Sequence, residues 1–211
     1  MSTERKDFDS VAASWDEKPE RVRLANDVAD AIRSEISLTR DMDVLDFGCG
    51  TGLVTLRLQP FVRSVTGADS SRGMLDILSA KIERLDLATV RTLHLDPDAI
   101  DTLPGPYHLI TSSMTLHHVP DIEPLLALFH RSITPGGYLA VADLDFEGGM
   151  FHGDGDGVFH PGFDRETLRR VFMEAGFRDV RDTTAAEIVK PDRTGARGRF
   201  SVFLMTGRKP D

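Results

Sequence analysis

Four sets of residues in this chain have the types and spacing to do chemistry. The first is Asp46-Phe47-Gly48-Cys49-Gly50-Thr51-Gly52, an acid followed by glycine at every second position. Glycine accepts positive φ and lets a ligand approach the backbone where a Cβ would collide. The second is Asp69, which closes an apolar stretch and precedes Ser70 and Ser71. It follows Gly50 by about the twenty residues at which a carboxylate holds ribose hydroxyls at a second strand end. The competing reading is that Asp69 or a following serine caps the next helix. The third set is His117-His118, a pair of the side chain best matched to proton transfer near neutrality. The fourth is looser: Asp143, Asp145, His152 and His160 lie in or beside a segment with six glycines between residues 145 and 163. That segment reads as a long loop, and long loops in compact domains are often lids or binding loops.

The elements that must position these groups are legible from periodicity. Val44, Leu45 and Phe47 form a short strand, the glycines a turn, and Leu53, Val54, Leu56 and Leu58 the start of a helix stopped at Pro60. Upstream, Val22, Ala25, Val28, Ala29, Ile32 and Ile36 recur at helical steps. Residues 62–69, 89–95, 107–112 and 138–144 read as further strands, each alternating with a helix. Helices with one apolar face follow at Met74 to Leu85, at Ile122 to Phe129 after Asp121, and at Leu168 to Ala175 after Asp164. Residues 180–189 and 200–205 are two more strands, joined by a link too short for a helical crossover and therefore antiparallel to each other. Alternating strands and helices predict an α/β fold with a mostly parallel sheet and helices on both faces. We expect a single domain over 1–211. A helical segment at 1–39 precedes a binding core at 40–145, followed by a lid or substrate loop at 146–163 and a C-terminal helix and strand pair at 164–211.

The glycine turn argues against two common ligands. A dinucleotide fingerprint places its third glycine where Leu53 stands, and a phosphate loop requires a lysine that does not follow here. The string from Asp46 to Gly52 instead resembles motif I of the class I S-adenosylmethionine-dependent methyltransferases. Ser112-Ser113-Met114-Thr115-Leu116-His117-His118 is similar to that family's fourth motif, and Pro135-Gly136-Gly137 recurs at the corresponding point. The resemblance covers roughly residues 40–145 and implies a Rossmann-like seven-stranded sheet whose last strand is antiparallel.

It also implies the cofactor, S-adenosyl-L-methionine, which carries a sulfonium, an ammonium and a carboxylate but no phosphate. Asp46, Gly48 and Gly50 would then hold the amino-acid end, with Asp69 and Ser70 at the ribose. Met74 would lie near the adenine, Asp96 would hold its amino group, and the Ser112 segment would run under the methionine part. Pro97 lacks the N–H that the family uses beside that acid, so Asp98 is a competing register. The family usually has an aspartate where His108 stands. His117 or His118 would face the methyl acceptor, and His152, His160, Asp143 and Asp145 border the same rim as substrate contacts.

Composition narrows the partners. A net charge of −9 argues against a nucleic acid held by phosphate contacts. The lone cysteine, Cys49, excludes an internal disulfide and reads as a small residue in the turn. Asp154 and Asp156 hint at a calcium loop, but Val158 and Arg165 stand where further ligands belong, so no metal is expected. No apolar run approaches the ~18 residues of a membrane span. The expected protein is a cytoplasmic methyltransferase of a small-molecule acceptor, without nucleic-acid or membrane partners, its oligomeric state unspecified by the sequence. The alternatives are a non-catalytic S-adenosylmethionine-binding sensor or scaffold, and a nicotinamide oxidoreductase.

Overall fold

The structure, a computed structural model, describes residues 7–96, 101–152 and 157–211. Its strands are β1 (Asp43–Phe47), β2 (Ser64–Asp69), β3 (Val90–His94), β4 (Tyr107–Ser113), β5 (Ile133–Leu144), β6 (Arg178–Pro191) and β7 (Arg197–Arg208). Its helices are α1 (Pro19–Glu35), α2 (Leu53–Leu58), α3 (Arg72–Arg84), α4 (Ile122–Ser132) and α5 (Arg165–Glu174). All seven strands join one sheet in the order β3-β2-β1-β4-β5-β7-β6. The first five pair in parallel, and β7 runs antiparallel to both β5 and β6. This is the Rossmann-like α/β sheet with an antiparallel last strand that the sequence implied.

The order reverses between β1 and β4. From β1 the chain works outward through β2 to β3, then returns to the far side of β1 for β4 and β5. Loops leaving β1 and β4 therefore diverge, and a crevice opens at their carboxyl ends, which is where open α/β sheets bind ligands.

Alternation along each strand supplies two cores. Val44, Leu109, Ala140 and Ala142 face α1 and α2, where Val28, Ile32, Val54 and Leu58 cover them. Leu45, Ile110, Leu139 and Val141 face the other way, onto Leu126 and Phe129 of α4 and Leu168 and Phe172 of α5. Central strands buried on both faces are what a parallel sheet requires.

Several local expectations are corrected. Pro19 sits in the first turn of α1, where its missing N–H is no loss. Residues Asp9–Glu17 form a 3-10 helix. Pro135-Gly136-Gly137 lies inside β5, at an irregular register against Tyr107 and Leu109. The last two strands are longer than their apolar patterns. Asp192 Oδ1, accepting from the N–H groups of Thr194 and Ala196, shortens their link to a tight turn. Asp121 precedes α4 without a side-chain capping bond, whereas Asp164 caps α5 by accepting from Thr167 N at 2.9 Å. That helix ends as its sequence suggests. Gly176 takes φ +106°, and Phe177 N reaches back to Phe172 O at 3.1 Å.

Candidate active site

The glycine turn lies at the carboxyl end of β1. Gly48 and Gly50 have φ of +73° and +54°, which side chains rarely tolerate. A Cβ on Gly48 would stand 2.3 Å from Thr115 Oγ1, so the exit of β4 packs directly on the turn. At Gly50 the nearest atom to an added Cβ is Met74 Sδ, at 3.9 Å. Gly50 therefore presents bare backbone beside Met74, whose own side chain is buried at the start of α3.

Two acids flank this cradle. Asp46 is buried and accepts a 2.5 Å hydrogen bond from Thr55 Oγ1. Burial, opposed by Thr55 and reinforced by the charge of Asp69, pushes its carboxyl up to about 6. Asp69 accepts from Gly50 N at 2.7 Å and from Ser71 N at 2.9 Å. Its pKa is also raised, by burial first, with the N–H groups of Ser71, Gly50 and Ser70 pulling the other way. Each carboxylate oxygen keeps acceptor capacity after one such bond. The capping reading of the following serine also holds, because Ser71 Oγ accepts from Met74 N at 3.1 Å. Ser70 is exposed at the same strand end.

Other site residues fall variously. Asp96 is exposed just beyond β3, and Leu95 N donates to Asp69 O at 2.9 Å, so the β2 and β3 ends lie side by side. Asp98, the competing register, lies outside the described residues, as do Asp154 and Asp156. Ser112 is fully buried and donates to Phe47 O at 2.9 Å. Its hydroxyl ties β4 to β1. His108 lies at the opposite end of β4, where its Nδ1 accepts from Asp43 N at 3.1 Å. Cys49 is buried, and burial with the charges of Asp46 and Asp69 raises its thiol well above the ordinary value. A thiol kept protonated in this way is no nucleophile.

Beyond β4, Met114 takes φ +54° and Leu116–His118 make one 3-10 turn. His117 is buried, with its Nδ1 2.6 Å from Asp143 Oδ1. His118 is partly buried, with its Nδ1 2.6 Å from Gly157 O. The two rings are 4.1 Å apart between centroids, and His152 lies 5.1 Å from His117 and 5.9 Å from His118. The sequence-predicted residues His117, His118 and His152 thus converge. His160 does not join them by ring contact. It packs on Phe163, with Nε2 2.9 Å from Val119 O, and lines a separate cleft of about 320 Å³ with Asp121, Glu123 and Asp164.

The two acids at the end of β5, expected as substrate contacts, are both engaged by protein groups. Asp143 is fully buried, and its carboxylate is taken up by His117 and Leu144 N. Burial would raise its pKa, but the charge and hydrogen bond of His117, with the N–H groups of Leu144 and His117, hold it below the ordinary value. Asp145 takes two bonds of 2.6 Å from Arg165 and one from Ser201 Oγ, which outweigh burial and lower its pKa as well. It fastens the loop to α5 and β7.

Sequence reasoning missed the carboxylate ties, Asp9 and Asp16, that make the N-terminal segment a strap. Asp16 accepts from Thr51 Oγ1 at 2.6 Å and pairs with Lys81, while Asp9 takes the Ser71 hydroxyl and Gly73 N. Phe8 sets its ring edge-on to both Trp15 and His118, 5.2 Å from the latter. The strap thus bridges the glycine turn, α3 and the histidine cluster. Phe8, Val11 and Trp15 at steps of three and four were the signal. Among the described residues, no group of three or more His, Cys, Asp or Glu is arranged to hold a metal, and no helix is long and apolar enough to cross a membrane.

The comparisons with known proteins agree with this geometry. A family model described as a methyltransferase domain matches residues 21–182. An uncharacterized methyltransferase of Schizosaccharomyces pombe is 29% identical over 66% of this chain and 54% of its own. The ubiquinone biosynthesis O-methyltransferase of Hydrogenovibrio crunogenus is 27% identical over 68% of this chain and 61% of its own. The chain therefore spans little more than half the length of such curated relatives. Among solved structures, phosphoethanolamine N-methyltransferase 2 of Haemonchus contortus superposes with a TM-score of 0.74 at 15% identity. That match covers 97% of this chain and 58% of the other, and it supports the fold alone. A glycine cradle flanked by a buried and a partly buried acid at the sheet's switch point, together with a family model spanning most of the chain, places this protein among the class I S-adenosylmethionine-dependent methyltransferases.

Proposed function

We propose that the protein transfers a methyl group from S-adenosyl-L-methionine to a small-molecule acceptor, with His117 as the group that takes the acceptor's proton. The observation that carries this reading is the contact of Thr115 with Gly48. It brings the turn bearing His117 against the glycine cradle, so cofactor and base share one crevice.

The cofactor fits the residues present. It is cationic at sulfur and nitrogen, and the cradle offers the buried Asp46, the partly buried Asp69, no phosphate-binding lysine and an open backbone at Gly50. Asp46, Gly48 and Gly50 would hold its amino-acid end. Asp69 and Ser70 would take the ribose, Met74 would pack near the adenine, and Asp96 would accept from the adenine amino group. When bound, this cofactor supplies a methyl carbon on positive sulfur, activated without help from the protein.

What the chain must add is alignment, dryness and a place for the proton. Phe8 of the strap borders the histidine cluster, backed by Trp15, and would shield it from water. His118 and His152 would border the acceptor. A base as buried as His117 is reached by a small group more readily than by a folded macromolecule, which supports a metabolite acceptor. The acidic surface supports the absence of a nucleic-acid partner.

Incubation with methyl-labelled S-adenosylmethionine and a metabolite extract, followed by mass spectrometry, tests the reading. A labelled small molecule is expected. Label confined to protein or RNA, or no label at all, contradicts it.

A further inference from the structure

One carboxylate is committed to His117 from two sides. Asp143 Oδ1 lies 2.6 Å from His117 Nδ1 and accepts from Leu144 N at 2.8 Å, and its Oδ2 accepts from His117 N at 3.3 Å. Both the ring and the main chain of the histidine are therefore held by one side chain on β5. A fully buried carboxylate is a costly way to make these bonds, because desolvating it costs several kcal/mol that a neutral side chain would not incur. A charge in that position stabilises a second charge that comes and goes.

We propose that Asp143 is the positioning residue for methyl transfer. It fixes the His117 ring as the tautomer protonated on Nδ1, leaves the Nε2 lone pair for the acceptor's proton, and stabilises the imidazolium that results. The inference rests on the reading of His117 as the base.

A carboxylate accepts and does not donate, so its partner nitrogen carries the hydrogen and the other nitrogen carries the lone pair. The same logic separates His117 from His118. The Nδ1 of His118 also donates, but to the carbonyl of Gly157, a neutral acceptor on a loop. A charged acceptor makes roughly twice as strong a bond and responds to protonation of the ring. The titratable groups facing His117 are Asp143 from β5, His118 from its own turn and His152 from the loop after β5. In the step, the acceptor's heteroatom forms its bond to the methyl carbon, the C–S pair stays on sulfur, and the acceptor's proton passes to His117 Nε2. Release of that proton to solvent restores the neutral ring, and Asp143 stays ionised throughout.

The test uses the whole chain labelled with ¹⁵N-histidine. Two-bond ¹H–¹⁵N spectra of the wild type should show His117 protonated on Nδ1 and bare on Nε2 at neutral pH. In Asp143→Asn, the His117 titration midpoint should move to lower pH, because the imidazolium loses its counter-charge. Labelled-methyl incorporation into the metabolite extract should fall on the order of 100-fold, while calorimetric affinity for S-adenosylmethionine holds. A wild-type His117 carrying its hydrogen on Nε2 overturns the proposal whether or not the variant folds. So does a folded Asp143→Asn with an unmoved midpoint and full turnover. A wild type that binds the cofactor yet labels nothing defeats the methyl-transfer reading itself, and this proposal with it. Turnover with the wrong tautomer defeats only the role of Asp143.

Discussion

The two halves of the crevice are built by different means. Where β1, β2 and α3 meet, the surface is mostly backbone: Gly48 and Gly50 in left-handed conformations, N–H groups tied to Asp69, and two acids in fixed places. Where β4 and β5 end, the surface is side chains drawn from distant segments. Phe8 arrives from the N-terminus, His117 and His118 from the β4 exit, Asp143 from β5, and Phe151 and His152 from the loop. The first construction suits a ligand that never changes. The second can be rebuilt residue by residue for another acceptor without disturbing the first.

If the halves are separable, lesions in one should spare the other. The largest effect is expected at His117. His117→Ala should lower turnover on the order of 10²–10⁴-fold, with calorimetric affinity for S-adenosylmethionine unchanged. A matching loss of cofactor affinity would break the comparison. Next comes Asp69→Ala. A hydrogen bond to a charged group is worth about 1.5–3 kcal/mol, so cofactor affinity should fall more than tenfold by calorimetry. Unchanged affinity removes Asp69 from the ribose site.

Asp46 sharpens the contrast because it links binding to stability. Its carboxyl is raised from the ordinary value to about 6 by burial. The unfolded chain ionises it more easily, so its contribution to stability is fully present below about pH 4 and lost as pH rises through about 6. Near neutrality the charged, buried form weakens the ligand-free fold by ~3 kcal/mol. Asp46→Asn should therefore raise the melting temperature of the ligand-free protein at pH 7 and weaken cofactor binding. In the wild type, calorimetric affinity should fall as pH drops below about 6, since the cation then meets a neutral acid. Melting curves and titrations that move together, rather than in opposition, contradict this.

The smallest effect is expected at the strap. The Lys81–Asp16 pair is 2.5 Å long and partly exposed, so Lys81→Met should cost no more than ~1 kcal/mol of global stability. It should still speed proteolysis within residues 7–18, because it removes one of the strap's few ties to α3.

The same contrast explains what the sequence disclosed. The glycine turn, Asp69 and the alternation of strands and helices are encoded within short stretches, so spacing alone located them. The antiparallel last strand followed from the shortness of the link between residues 189 and 200. The acceptor side was only half visible. The histidine pair was found by type, but neither its partner nor the choice between its members can be read without the register that sets Asp143 behind His117. Asp143 and Asp145 looked alike in sequence, two acids at one strand end. Burial turned the first into a support for His117, and Arg165 turned the second into a brace for α5. Ser112 was legible only in part for a related reason. Alternation along β4 gave its place but not that its hydroxyl is taken by Phe47 O. The strap's ties were overlooked because they are single carboxylates, Asp9 and Asp16, with nothing local to mark them.

The central claim is that the glycine turn and its two acids hold S-adenosylmethionine beside His117. A crystal structure of the chain with S-adenosylhomocysteine tests it most directly. The account predicts the ribose on Asp69, the amino-acid end over Gly48 and Gly50, and the sulfur directed toward the turn that carries His117. The nucleoside bound away from this cradle, or a sulfur directed away from that turn, would contradict it.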